Sequence, residues 1–146
     1  MPSAATTTGA TVIPSMRYKD APAAIEWLCH ALGFQKQVAY SNPDGTIAHA
    51  QLVFPALGGT GMVMLGSVDN GSISSKWMSQ PSELGGHNTH GICLIVADAD
   101  AVYATAKAAN AKIAMEIADM DYGGRAFSCY DPEGHIWHIG TYNPWT

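Results

Sequence analysis

Charged side chains are scarce in this sequence. Asp, Glu, Lys and Arg make up 13% of its 146 residues, against about 25% in an average globular protein. The five lysines and two arginines are scattered along the chain, whose net charge is −5. Because nucleic-acid binding needs a basic stripe, we expect no nucleic-acid partner. A surface this low in charge fits either partial cover by a partner subunit or a neutral polar surface.

Long apolar runs and paired cysteines are also missing. The longest apolar run, Ile92 to Ala97, is far shorter than the roughly 20 residues of a membrane helix. Residues 1–11 have neither a basic start nor an apolar core, so they predict a flexible tail rather than a signal peptide. The three dispersed cysteines lack a CxxC pair, which favours buried thiols in a reducing compartment. We therefore expect a cytoplasmic protein without a membrane partner.

One pattern of elements occurs twice in the chain. Residues 12–68 contain an apolar strand, a helix capped by Asp20 and three more strands. The same order returns over residues 89–146, after a linker loop at residues 69–88. Residues 12–20 align on residues 90–98, and the whole element order repeats with them. The sequence therefore predicts two βαβββ modules joined by the linker.

Three segments of the chain resemble a known family. They are VIPSMRYKD (12–20) with AAIEWL (23–28) and LGF (32–34), IAHAQL (47–52) with GMVMLGS (61–67), and YGGR (122–125) with DPEGHIW (131–137). The DPEG turn before an apolar strand is the most diagnostic of these. On these residues the chain resembles the vicinal oxygen chelate superfamily, which includes glyoxalase I, bleomycin-resistance proteins and extradiol dioxygenases. The nearest branch is the PhnB-like glyoxalase/bleomycin-resistance group.

The resemblance implies an α+β fold and a homodimer. Two tandem βαβββ modules would form an incompletely closed eight-stranded sheet around a cleft, either within the chain or across the dimer. Metal-using relatives place four ligands there, which hold one divalent ion such as iron, manganese, nickel or zinc. Those ligands lie near the start of each first strand and on each fourth strand.

The ligand positions of the family carry few ligands in this chain. They fall on Ile13, on Met64, on Gly91 or in a shifted register His90, and on His138. Ile13 and Gly91 offer no donor atom, and the thioether of Met64 suits soft copper better than harder ions. Because catalytic zinc needs about three protein ligands, we expect no bound metal and no cofactor. A divalent metal held by His49, His90 and His138 remains the alternative.

Several residues are candidates for the ligand cleft. Arg125 could hold an anionic group through its planar fork, although an ion pair with Asp131, Asp121 or Asp119 is the favoured interpretation. Trp77 is either a flap over the pocket or a dimer contact. The predicted cleft residues are Ser15, Arg17, His49, Met64, Trp77, His90, Cys93, Arg125 and His138.

Nucleophilic catalysis has little support in the sequence. No Ser or Cys has an identifiable activating partner, and there is no Gly-x-Ser-x-Gly elbow. Cys93 falls on the cleft face of the fifth strand, where a buried, inert thiol is the better interpretation. Residues 58–61 lack a P-loop lysine and predict a turn. His135 and His138 lie three residues apart on a strand, so they face opposite sides and do not form a chelating pair.

Three functions remain open at this point. The favoured one is a non-catalytic binder of a small apolar or aromatic molecule with one anionic group, held by Arg17 or Arg125. The second is a metal-dependent lyase, isomerase or dioxygenase that uses His138 with His49 or His90. The third is a structural dimer module.

Overall fold

The structure is a computed structural model, in which residues 9–146 are described. Most of the predicted N-terminal tail, residues 1–8, lies outside the described residues. The helices and strands follow one another in this order: β1 (Ser15–Tyr18), α1 (Ala21–Leu32), β2 (Gln35–Ser41), β3 (Ile47–Ala56), β4 (Gly59–Ser67), β5 (Ile92–Ile95), α2 (Ala99–Ala108), β6 (Lys112–Asp119), β7 (Arg125–Tyr130) and β8 (Ile136–Gly140). Two 3₁₀ turns, Ile73–Lys76 and Pro81–Leu84, lie in the linker between β4 and β5.

Both helices begin at a capping aspartate, as predicted. The Asp20 carboxylate accepts a hydrogen bond of 3.1 Å from the backbone N–H of Ala23, at the start of α1. Asp98 accepts a bond of 3.0 Å from the N–H of Ala101, at the start of α2. Each bond satisfies one of the N–H groups that a helix leaves free at its start. The described residues contain no helix long and apolar enough to cross a membrane.

The strands form two sheets of four. Their orders are β1-β4-β3-β2 and β5-β8-β7-β6, and the first strand of each sheet runs parallel to the fourth. The α+β class and the two βαβββ units are thereby confirmed. In residues 9–146 the eight strands pair only within these two sheets, which are not closed into a barrel.

The strand register makes three positions in one sheet equivalent to three in the other. Ser15 pairs with Met64, which pairs on its other side with Gln51. Cys93 pairs with His138, which pairs on its other side with Ser128. We call these two sets the module-one row (Ser15, Met64, Gln51) and the module-two row (Cys93, His138, Ser128).

The helices cover one face of each sheet and pack against each other. Strand alternation turns Met16 and Tyr18 towards this buried side, and likewise Leu94. Aromatic side chains contribute contacts between the modules. The rings of Phe34 and Trp137 lie 5.5 Å apart, and the indole N–H of Trp27 donates to the carbonyl of Ala109 over 3.0 Å.

The turn before β8 holds the two modules together through a buried carboxylate. Asp131 is 4% exposed and accepts hydrogen bonds from Tyr18 Oη, at 2.6 Å, and Trp137 Nε1, at 3.1 Å. Its second oxygen accepts from the backbone N–H groups of Glu133 and His135. Burial, together with this carboxylate, raises the pKa of Tyr18 well above its ordinary value. The predicted DPEG turn therefore also links the two modules, through the hydrogen bond between Asp131 and Tyr18.

The turn between β3 and β4 lies earlier than predicted. The sequence predicts a turn over residues 58–61, but β4 already begins at Gly59, which pairs with Ala56. The turn consists of Leu57 and Gly58, with φ angles of 53° and 78°. Two consecutive positive φ values are those of a tight two-residue hairpin, which leaves Gly59 and its successors free to continue the ladder.

Candidate functional site

The sheet face opposite the helices carries most of the predicted cleft residues. Met16 and Tyr18 point to the core, so alternation places Ser15 and Arg17 on the open face of the first sheet. The strand register adds the rest of the module-one row, and the second sheet presents the module-two row in the same way. His49 also lies on this face of the first sheet, since it is two residues from Gln51 on β3.

A cavity of about 410 Å³ lies between β1 and the second module, under the linker. Four of the predicted cleft residues line it: Ser15, Arg17, Trp77 and His90. Two further histidines, His87 and His135, also line it, which the sequence had not indicated. The lining includes no Asp or Glu, although the chain contains 12 acidic residues. The cavity therefore presents basic groups with no acidic side chain in its lining.

Arg17 reaches this cavity without a carboxylate partner among the described residues. Its Nη2 donates to the hydroxyls of Ser72, over 3.4 Å, and Ser74. Its Nε is buried and has no hydrogen-bond acceptor in the described part of the chain. A side chain at Gly66 would clash with the guanidinium, so the glycine makes room for it. Arg17 thus keeps its positive charge uncompensated, beside two hydroxyls that can themselves donate.

Two large apolar side chains of the linker stand at the edge of the same cavity. Trp77 is 73% exposed and follows the first 3₁₀ turn, and Met78 comes directly after it. Trp77 is predicted to be either a flap over the pocket or a dimer contact, and its position at the edge of the cavity favours the flap. The assignment remains a prediction, because a dimer contact would also use an exposed indole.

Arg125 is held by acidic side chains on the protein surface. Its Nε and Nη2 bond both oxygens of Asp100, at 3.0 and 3.1 Å, and its Nη1 bonds Asp119 at 3.1 Å. These bonds raise the pKa of Arg125. The predicted pairing with Asp119 is present, those with Asp131 and Asp121 are not, and Asp100 was missed because it comes from α2. With its fork occupied in this way, Arg125 is a poor anion ligand.

Cys93 differs from the prediction of a buried thiol. It is exposed, whereas Cys29 is half-buried and Cys129 is fully buried. Burial raises the pKa of Cys29, and it raises that of Cys129 to about 12. The sequence identifies no activating partner for any Cys, and the structure adds that His138 is the register partner of Cys93 on the neighbouring strand. Only the fold reveals this, since 44 residues separate the two in the chain.

His49 and Met64 belong to a polar patch on the first sheet. His49 Nε2 shares a hydrogen bond of 2.8 Å with Gln51 Oε1, and Gln51 in turn donates to Gln37 Oε1. The ring of Tyr40 is stacked on His49, with centroids 6.5 Å apart. Met64 is half-buried next to Gln51. His49, Gln51 and Gln37 therefore find hydrogen-bond partners within the patch.

The residues present do not fit the metal site of the family within one chain. Nowhere in residues 9–146 do three His, Cys, Asp or Glu side chains come close enough to hold a metal ion. His49 belongs to the first sheet and shares its Nε2 with Gln51, whereas His138 belongs to the second and shares its Nδ1 with Ser128. The predicted alternative of His49, His90 and His138 is therefore not assembled inside a single chain, and we derive no step through a metal.

A second, larger groove of about 540 Å³ separates the β3–β4 hairpin from the edge of β5. Its lining is mostly apolar and includes His90 and Cys93 of the predicted set. Three exposed hydrophobic side chains also line it, Val12 (85% exposed), Leu57 (56%) and Trp145 (89%). A third cavity of about 320 Å³ contains Cys93, Arg125 and His138.

Comparisons with known proteins agree on one superfamily. The sequence profile described as Glyoxalase/Bleomycin resistance protein/Dioxygenase superfamily matches residues 10–139. The chain is similar to TioX from Micromonospora sp. ML1, with 28% identity over 92% of this chain and 100% of that chain, at a TM-score of 0.69. No match is found among the curated proteins.

Two more solved structures share the fold alone. A superfamily member from Sphaerobacter thermophilus DSM 20745 has 22% identity, covering 90% of this chain and 96% of that one, with a TM-score of 0.62. A glyoxalase I mutant from Zea mays has 17% identity and a TM-score of 0.67, covering 89% of this chain but only 44% of its own. The present chain therefore spans less than half the length of that glyoxalase I.

Proposed function

The chain belongs to the Glyoxalase/Bleomycin resistance protein/Dioxygenase superfamily, and from this premise we propose that it binds a small aromatic anion without a catalytic metal. The site is the 410 Å³ cavity lined by Arg17, Trp77 and three histidines. Its volume lies within the roughly 300–1,000 Å³ of small-molecule pockets. We also propose that the chain belongs to the PhnB-like subgroup of this superfamily.

The absence of carboxylates from the cavity lining carries this proposal. A net charge of −5 repels anions over most of the surface, so an anion gains most where basic groups stand without acidic neighbours. The Arg17 guanidinium is planar and suits bidentate bonding to a carboxylate or phosphate. Its Nε is buried without an acceptor among the described residues, so the guanidinium is not saturated by hydrogen bonds from the protein.

The apolar part of the ligand would lie against the linker. Trp77, Met78 and Leu84 line the cavity on that side. An exposed indole offers a flat face for stacking, and a thioether adapts to irregular shapes. This combination favours an aromatic ring joined to one anionic group over an ion alone.

A pair of probes that differ only in charge tests the proposal. Calorimetric titration compares 2-naphthoate with the neutral 2-naphthamide. We expect the anion to bind more tightly, and Arg17→Met to weaken it tenfold or more while leaving the amide unchanged, because a hydrogen bond to a charged group contributes about 1.5–3 kcal/mol.

Arg125→Met is the matched control, because it removes the other arginine of the chain, whose fork is already ion-paired. It should leave the binding of both probes unchanged. Equal affinity of wild type and Arg17→Met for 2-naphthoate would overturn the proposal.

We further propose that the chain is a homodimer, which the low content of charge supports. Val12, Leu57 and Trp145 expose apolar surface around one groove, and clustered apolar surface of this kind commonly marks an interface. A second copy of the chain is the proposed occupant. Sedimentation should give about twice the mass of one chain, and Trp145→Glu with Leu57→Glu should give the mass of a monomer. A wild-type monomer would contradict this.

Metal content tests the proposal that the protein works without a catalytic metal. Untagged protein would be purified without chelator from metal-supplemented medium and submitted to elemental analysis. We expect far less than one equivalent of iron, manganese, nickel or zinc per chain. One equivalent that disappears in His138→Ala would instead support the metal-dependent lyase, isomerase or dioxygenase.

A cytoplasmic location belongs to the same proposal. The three cysteines carry no disulfide, which fits a reducing compartment. Fractionation of the producing cells, followed by detection of the chain, should place it with cytoplasmic markers. Its recovery with secreted or membrane fractions would contradict the location.

A further inference from the structure

We propose that Asn70 determines the charge selectivity of the Arg17 cavity, because its neutral amide lies beside the guanidinium at a place where a carboxylate would neutralise it. The inference rests on the proposed function, since it explains why this cavity would prefer an anion to a neutral ligand of the same shape. Asn70 does not line the cavity. It acts through Arg17 and is therefore a positioning residue rather than a group that touches the ligand.

The backbone at Gly66 brings Asn70 next to Arg17. Gly66 is the register partner of Arg17 in the ladder between β1 and β4. A Cβ built on this buried glycine would clash with Arg17 Nη1 and would lie only 2.7 Å from Asn70 Nδ2. The two nitrogens are therefore neighbours in the space that the glycine leaves open. Opposite charges act strongly on one another within about 4–6 Å, so a charge at residue 70 would act on the guanidinium.

Three hydrogen bonds hold the side chain of Asn70 in this place. Nδ2 donates to the backbone carbonyls of Ile47, over 3.3 Å, and Ala48, over 3.0 Å. Oδ1 accepts from the backbone N–H of Ser72 over 2.9 Å. Because the carbonyls can only accept and the N–H can only donate, these partners settle which end of the amide is the nitrogen. The nitrogen is thus the end that lies near Arg17.

The other linker groups at Arg17 are neutral as well. The hydroxyls of Ser72 and Ser74 accept from Nη2, and they share a hydrogen bond of 2.8 Å with each other. Within residues 9–146 no ion pair joins Arg17 to a carboxylate. The linker therefore surrounds the guanidinium with amide and hydroxyl groups, which orient it without removing its charge.

The acidic residues closest to this region are directed elsewhere. Asp69 precedes Asn70, but it is exposed and lines a separate depression of the surface. Glu133 accepts hydrogen bonds from two backbone N–H groups just before α1. Residue 70 is thus a position at which one change, from amide to carboxylate, would bring an acidic group to Arg17.

Arg125 shows the effect of the opposite surroundings. The carboxylates of Asp100 and Asp119 occupy its fork and balance its charge. The same chain therefore holds one arginine among carboxylates and another among amide and hydroxyl groups. The second one keeps its positive charge for a ligand, and the amide of Asn70 is one of the groups that leave this charge intact.

Calorimetric titration of Asn70→Asp with 2-naphthoate and 2-naphthamide tests the inference. The substitution keeps the shape of the side chain and exchanges the amide nitrogen for a charged oxygen. The guanidinium attracts that oxygen, and the carbonyls of Ile47 and Ala48 repel it. We expect the preference for the anion, measured as the ratio of the two dissociation constants, to fall tenfold or more.

Two control variants separate a charge at this place from other effects. Asn70→Ala removes the same hydrogen bonds without adding a charge, so it should keep the ratio of wild type even where both affinities fall. Asn110→Asp adds the same charge at an exposed residue after α2 and should also keep the ratio. Asn110 has a φ of 64°, a conformation that Asp tolerates as well.

The Nε–H signals of the two arginines give a readout that does not depend on the probes. In the NMR spectrum of ¹⁵N-labelled protein, Asn70→Asp should shift the signal of Arg17, which is assigned by its loss in Arg17→Met. The signal of Arg125 should stay in place, because its ion pairs are unchanged.

The outcomes distinguish this inference from the proposed function. A wild type that prefers the anion, together with an Asn70→Asp variant that prefers it equally, would overturn the inference alone. An equal loss of preference in Asn70→Ala would also overturn it, because Asn70 would then act by holding the linker. A wild type that binds both probes equally would overturn the proposed function and the inference with it.

Discussion

The two modules use one scaffold for different chemistry. In equivalent register, the first sheet carries Ser15, Met64 and Gln51, and the second carries Cys93, His138 and Ser128. The module-one row holds no titratable group, and its amide joins a network with His49 and Gln37. The module-two row holds a thiol and an imidazole. Duplication thus preserved the positions of the side chains, while their identities determine what each sheet can do.

The hairpins between the third and fourth strands of the two sheets also differ in what their side chains contact. The first sheet turns through Leu57 and Gly58, both exposed. The second turns through the DPEG segment, whose Asp131 is buried between the modules. One copy of the turn only reverses the chain, whereas the other also joins the two halves of the molecule.

Removal of the Asp131 carboxylate, which links the two modules, should have the largest effect on stability. Asp131→Ala leaves Trp137 Nε1 buried without an acceptor and leaves Tyr18 Oη only the weak acceptor Met16 Sδ, at 3.7 Å. It also frees two backbone N–H groups of the turn. At about 1–3 kcal/mol for each unsatisfied buried group, we expect a loss of about 3 kcal/mol or more. Urea unfolding monitored by tryptophan fluorescence measures this loss. A change below 1 kcal/mol would show that the turn does not hold the modules together.

The buried thiol of the second module should make stability depend on pH. Cys129 stands where the first sheet has Leu52, and its pKa is raised to about 12 from 9.0 by burial and by Asp131. A raised folded-state pKa means that this contribution is complete below pH 9 and lost as the pH rises towards 12. The loss should approach about 1.4 kcal/mol per pH unit.

Cys129→Val is the matched variant for this effect. Its unfolding free energy, measured at pH 8, 9, 10 and 11, should decline less steeply than that of wild type, because it cannot release this proton. Other titrating groups, Tyr18 among them, are common to both proteins. Parallel curves would show that Cys129 ionises equally well in the folded and unfolded states.

The hairpin of the first sheet should give the smallest effect. Leu57 has a φ of 53°, a left-handed conformation that Asn adopts more readily than Leu. We expect Leu57→Asn to stabilise the chain by about 0.5 kcal/mol, because Asn-Gly is the preferred pair in such turns. Thermal unfolding of both proteins measures this. A destabilisation would show that Leu57 contributes packing in the 540 Å³ groove.

Local patterns predicted most of the fold from the sequence. Asp20 and Asp98 were identified as helix caps because a short acceptor before an apolar helical spacing has one common use. The turn at residues 58–61 was misplaced because four small residues contain several turns of similar propensity. The strand ladder, which extends to Gly59, decided among them.

The sites were harder to predict, because they join residues that are distant in sequence. Four of the residues that the sequence predicts for the cleft, Ser15, Arg17, Trp77 and His90, line one cavity. His87 and His135 were missed, since the linker and the DPEG turn bring them there. The pair of Arg125 with Asp100 and that of Cys93 with His138 depend on helix and strand placement, which composition and spacing do not encode.

Mapping the bound probe on the protein is the most direct test of the proposed function. Backbone amide shifts of ¹⁵N-labelled protein would be followed by NMR during titration with 2-naphthoate. We expect the largest shifts at Arg17, in the linker around Trp77 and at His135, which surround the 410 Å³ cavity. Shifts confined to the 540 Å³ groove, or the same pattern in Arg17→Met, would contradict a binding site built on that arginine.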